Sequence, residues 1–170
     1  MRGLRVLLII AAAIVLQTTL ARFLVRGTSG VDLILVAVVY LGLTSGPVAG
    51  TLSGTIAGLA QDSLGSGIIG VSGLAKTVVG FLAGIVGTTF IVAQTIPRFL
   101  VFFAATALQV AITFGLNYLL EPQPPALGYY GVLGQSLGNA LLGVLLFQVG
   151  DALPGMLDRR RAMSRGRARR

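Results

Sequence analysis

Gly46-Pro-Val-Ala-Gly-Thr-Leu-Ser-Gly-Thr-Ile-Ala-Gly-Leu-Ala-Gln-Asp62 is the stretch that decides how the rest of the chain is read. Gly46, Gly50, Gly54 and Gly58 recur at every fourth position, and Gly42 continues the row backwards across the Gly46-Pro47 break. Residues four apart share one helix face, so the row makes a groove without side chains. In water each of these glycines costs about 0.5–1 kcal/mol of helix stability relative to alanine. In a bilayer the same residues let a second helix approach backbone to backbone. The row ends on a carboxylate, Asp62. Gly46, Gly50, Gly54, Gly58 and Asp62 therefore form a candidate packing or partner surface, the neighbour being either another helix of this chain or one from a partner.

The composition places that surface in a membrane. Of 170 residues 55% are hydrophobic and only 11% charged, with a mean hydropathy of +0.90. A soluble domain carries about a quarter charged residues. The chain reads as one all-α integral membrane domain. It has no cysteine and no histidine, so disulfides, thiolate chemistry, imidazole catalysis and the usual zinc sites are excluded. No catalytic, cofactor or metal site is expected. The net charge of +8 does not point to nucleic acid, because seven of the thirteen basic residues lie between Arg159 and Arg170 with no interleaved aromatics.

Six spans are expected, at about residues 4–21, 31–44, 47–61, 74–93, 99–120 and 129–150. The basic start at Arg2 and Arg5 before an apolar run resembles a signal peptide, but no small-x-small cleavage site follows, and a retained first span is the reading. Gly46-Pro47 reads as a turn, since proline at a first helical position loses only an N–H that has no helical partner. The second and third segments are short for a hydrocarbon core of about 30 Å. They are either short spans or a re-entrant pair, and two spans is the preferred reading. Residues 63–73 read as a loop, and Glu121-Pro-Gln-Pro-Pro-Ala126 as a rigid connection. Residues 155–170 read as a disordered basic tail. Arg2, Arg5, Arg98 and the tail arginines outnumber Arg22 and Arg26, which puts both termini in the cytoplasm by the positive-inside rule.

Several of these pieces resemble the bacterial rod shape-determining membrane protein family MreD. They are Leu16-Gln-Thr18, Asp32-Leu-Ile-Leu with Val38-Val-Tyr40, Gly46-Pro47, the pattern Gly50-x-x-x-Gly54-x-x-x-Gly58-Leu59-x-x-Asp62, and Leu74-x-Lys76-Thr-Val-Val-Gly80-Phe-Leu-x-Gly84. By motif the likeness covers roughly residues 1–90, and it does not extend to the basic tail after Arg159. The resemblance implies a non-enzymatic scaffold of the cell-wall elongation complex in the bacterial inner membrane. It implies a bitopic partner of the MreC type and, through it, MreB, RodA and a transpeptidase. It also implies a fold similar to the substrate-binding subunits of energy-coupling-factor transporters. A small-molecule-binding transporter subunit of that type is the alternative function.

Four further features are weighed from the residues themselves. Asp62 and Lys76 flank one loop and form a candidate ion pair, since an acid at membrane depth demands a partner. Asp32 with Asp62 raises an intramembrane aspartyl protease, which needs two carboxylates sharing a proton about 3 Å apart. Neither lies mid-span, and that reading is set aside. Tyr129, Tyr130, Gln135 and Asn139 are candidates for lining a pocket, or else for hydrogen bonds between helices. The basic tail fits anionic lipid, at about 1 kcal/mol per basic residue near the surface.

Overall fold

The computed structural model describes the backbone of residues 2–23, 31–65, 67–90, 94–120 and 128–167. Six helices follow one another: α1 (Arg2–Phe23), α2 (Leu33–Ser45), α3 (Pro47–Leu64), α4 (Val71–Thr89), α5 (Thr95–Leu120) and α6 (Tyr129–Arg167). Helix α4, helix α5 and residues 130–151 of α6 are long and apolar enough to cross a membrane. The apolar stretches Leu8–Thr19 and Leu33–Ser45 are shorter. At about 1.5 Å per residue α2 reaches only about 20 Å.

Helix α2 is apolar all round, and such a helix belongs in the centre of a bundle. Nine of its residues, from Ile34 to Leu43, are buried. One side packs with Val79, Ala83, Phe102, Ala105, Ala140 and Phe147 of α4, α5 and α6. The other packs with Ile10 of α1 and Ala57 of α3. Successive helices alternate in direction, as the pairings show. Gln17 meets Leu33, a Cβ on Gly58 would meet Gly73 and one on Gly50 would meet Gly80, and Arg98 meets Asp151. The start of α1 and the Asp151 region of α6 therefore lie at the same end of the bundle.

The joint between α2 and α3 is a single residue. Gly46 has φ +90° and ψ 179°, a left-handed φ that favours glycine. Its N–H donates to the Gly42 carbonyl at 2.9 Å, closing α2, and Pro47 opens α3 at the position proline prefers. At the end of α3 the Gly65 N–H donates to Gln61 and Asp62 carbonyls. Helix α3 thereby runs on to Leu64 and α4 begins at Val71, so both helices extend into the loop expected from 63 to 73.

Several boundaries differ from expectation, among them the start of α5, at Thr95 instead of 99, where Pro97 falls in the first turn and removes no intrahelical hydrogen bond. Helix α4 starts at Val71 instead of 74, because Asp62 supplies the cap that Gly70 has no side chain to provide. The backbone of α6 stays helical to Arg167, where an end near residue 150 and a disordered tail were expected. Arginine, methionine, leucine and alanine, which dominate residues 156–163, are strong helix formers. The proline-rich connection Glu121–Ala126 lies outside the described residues.

At the end opposite the α2 N-terminus an aromatic cluster joins the α5–α6 hairpin to α2. Tyr40 meets Phe147 edge-on with ring centroids 4.8 Å apart, and Phe102 meets Phe147 at 6.1 Å. Arg98 lies 4.4 Å above the Phe147 ring and donates to Asp151 at 2.8 Å. The Asp151 side chain is 64% exposed, so this outer ion pair contributes little.

Candidate functional site

The glycine row faces inward. A Cβ on Gly50 would land on the Gly80 carbonyl, one on Gly54 on the Lys76 carbonyl and Thr77 nitrogen, and one on Gly58 on the Gly73 backbone. The relation is reciprocal, for a Cβ on Gly80 would meet the Gly50 carbonyl and one on Gly84 the Pro47 backbone. Helices α3 and α4 thus touch backbone to backbone along their length. The Thr55 and Thr77 hydroxyls share a 2.8 Å hydrogen bond across the same seam. Between the two possible neighbours of this face, the structure places one of the chain's own helices against Gly50, Gly54 and Gly58. Gly46 serves the turn, with only the Thr88 methyl near it. The outward side of α3 carries Val48, Leu52, Ile56 and Leu59, all exposed.

Asp62 does not pair with Lys76 as expected. Its Oδ2 accepts hydrogen bonds from the Gly70 N–H at 2.8 Å and the Gly73 N–H at 3.1 Å. These are N–H groups of the cap residue and first turn of α4, which have no partners within the helix. A carboxylate also suits the positive end of the helix dipole. Replacing Asp62 with alanine removes this cap and should cost about 0.5–2 kcal/mol, whereas asparagine keeps an acceptor oxygen and should cost less. Thermal unfolding of the two variants checks the order, and an alanine variant as stable as wild type would contradict it.

Lys76 pairs with Asp32 instead, Nζ to Oδ2 at 2.6 Å, with side-chain exposures of 0% and 6%. Asp32 is the N-cap of α2, and its Oδ1 accepts from the Leu35 N–H at 2.9 Å. The Asp32 N–H donates to Asn139 Oδ1 at 2.8 Å, and Asn139 Nδ2 donates to Thr106 Oγ1 at 3.1 Å. From the other side Gln17 accepts from the Leu33 N–H at 2.9 Å and donates to the Val31 carbonyl at 3.2 Å. One buried aspartate thereby ties α2 to α4 and α6, and through Asn139 to α5, while Gln17 adds α1. The cation beside this aspartate is the only lysine of the chain.

Asn139 is fully buried within this network. It does not line a shared pocket with Tyr130, which is 92% exposed, and the side chain of Tyr129 lies outside the described residues. Gln135 is half-buried on α6. Asp32 and Asp62 have separate donors, so they do not form a pair of carboxylates sharing one proton. The charge chemistry of the site is neutralisation and clamping of helix ends.

A family model described as rod shape-determining protein MreD matches residues 1–149. The chain belongs to that family. The match reaches beyond the motifs of residues 1–90 to include the α5–α6 hairpin with Thr106 and Asn139, and it ends before the basic tail. No curated protein and no solved structure matches the chain. Membership of a shape-determining MreD family, together with three helices able to cross a membrane, makes this a membrane protein associated with cell-shape machinery.

Proposed function

We propose that the chain is a non-enzymatic scaffold of the cell-wall elongation complex, held in the bacterial inner membrane by six helices with both termini cytoplasmic. The observation that carries this reading is the MreD family match over residues 1–149. Alternating helix directions and the excess of arginine at the terminal end support the orientation. A thiol placed at Ser164 should then resist an impermeant reagent on intact cells, and labelling there would reverse the orientation.

The scaffold works by helix packing, with a bitopic partner of the MreC type and, through it, MreB, RodA and a transpeptidase. Because α4 already fills the glycine seam, the partner meets the outward apolar rows, of which Val48, Leu52, Ile56 and Leu59 on α3 form one. The basic tail faces anionic lipid. The experiment is co-purification of an MreC-type protein with the tagged chain from membranes, combined with depletion of the chain in a rod-shaped host. Retention of the partner and rounding of depleted cells are expected. Rods that persist after depletion, with no partner retained, would overturn the reading.

A further inference from the structure

The charge network described above continues into side chains that it does not satisfy. On α5, Gln109 and Thr113 lie three and seven residues beyond Thr106, on the same helix face. On α6, Ser136 lies three residues before Asn139. The Thr106–Asn139 hydrogen bond sets these antiparallel helices in register, so Gln109 and Ser136 stand at one level, a turn beyond that bond. Gln109 is 7% exposed and Ser136 1%. Gln109 Oε1, Thr113 Oγ1 and Ser136 Oγ are all buried, and none has a hydrogen-bond partner among the described residues.

Buried hydroxyls elsewhere in the bundle satisfy themselves on their own helix. Ser53 donates to the Gly50 carbonyl, Thr77 to Gly73 and Thr106 to Phe102. Ser136 and Thr113 do not use this local option. A polar atom left unpaired at membrane depth is costly, and three within one helix seam call for an occupant that can hydrogen-bond to them. An amide oxygen needs a donor, and hydroxyls both donate and accept. All three side chains are uncharged, and the Asp32 and Lys76 charges of the adjoining network already pair with each other at 2.6 Å.

We propose that the α5–α6 seam at Gln109, Thr113 and Ser136 is a binding site for hydroxyl groups, supplied either by water or by the glycerol of a lipid headgroup. The occupant bridges the two helices and extends the network that begins at Asp32–Lys76. The site holds no part of the partner surface and stands apart from the scaffold reading.

Thermal unfolding of the full chain in lipid nanodiscs tests it, using Gln109→Leu, Ser136→Ala and the double variant. Each single variant should melt a few degrees lower. The double variant should fall by less than the sum, because both substitutions release the same bridging molecule. Coupling that persists in phosphatidylcholine, whose headgroup carries no hydroxyl, assigns the occupant to water. Coupling seen only in phosphatidylglycerol assigns it to the headgroup. Single variants that melt at or above wild type, as apolar replacement of truly unpaired groups would produce, overturn the site, as do strictly additive effects in both lipids. A second readout uses the absence of native cysteine. The thiol of Ser136→Cys should react with a water-soluble silver salt at least tenfold faster than that of Ala140→Cys, a fully buried apolar position. Equal rates contradict a polar, hydroxyl-filled seam.

Discussion

Lys76→Met should destabilise the chain by about 3–5 kcal/mol, the usual cost of stranding one member of a buried ion pair. The loss falls on Asp32, which is 4% exposed and is held in place by two further hydrogen bonds, from Leu35 and to Asn139. It cannot turn to solvent without uncapping α2. Asp32→Asn should cost a similar amount, because it leaves the Lys76 ammonium fully buried beside a neutral amide. The double variant Asp32→Asn with Lys76→Met should recover most of the loss. Replacing a buried pair by neutral groups of similar volume is often close to neutral, and asparagine keeps the oxygen that caps α2. Unfolding in detergent, with the amount of protein in the membrane as a second readout, measures the cycle. Strict additivity of the two single losses would mean that the residues do not depend on each other.

Gly54→Leu should be strongly damaging on the α3 face. Its Cβ alone would collide with the Lys76 carbonyl and the Thr77 nitrogen, and backbone cannot rotate away as a side chain does. Overpacking of this kind costs about 1–3 kcal/mol and occasionally more. The displacement would also disturb Lys76, whose carbonyl Gly54 touches and whose ammonium closes the ion pair. Gly115→Leu is the control, since a Cβ at Gly115 meets nothing within 4 Å. Loss of Gly54→Leu protein from the membrane with Gly115→Leu at wild-type level is expected. Normal levels and melting temperature for Gly54→Leu, with only partner binding lost, would show that the seam opens to admit a partner helix.

The membrane class, the six helices and the Gly46-Pro47 turn were legible because each rests on local composition or backbone chemistry. Spacing alone also identified the glycine face as a close contact. It left the neighbour open, because glycines four apart look the same whether α4 or a partner fills the groove. The acid that pairs with Lys76 is not legible for a related reason. Asp62 and Lys76 are separated by one short loop, while Asp32 lies 44 residues from Lys76. Only the parallel packing of α2 against α4 brings them together. A usable signal was present in the helix starts. Ser63 to Gly73 holds glycines at 65, 67, 70 and 73, so a helix that starts in or just after this stretch has few side chains of its own to cap it, and Asp62 is a nearby acceptor for that role. That Ser136 and Thr113 do not bond their own helix leaves no sequence trace, because a serine that bonds its own helix and one that does not are written identically.

The scaffold account holds that the buried charges fasten the bundle and have no separate activity. The most direct test is cell shape in a rod-shaped host whose only copy carries Asp32→Asn together with Lys76→Met. With the protein present at normal levels and folded, the account predicts normal rods and undiminished co-purification of the MreC-type partner. Round cells despite normal protein levels and a normal melting temperature would contradict it, and would assign the Asp32–Lys76 pair a function beyond holding α2 to α4.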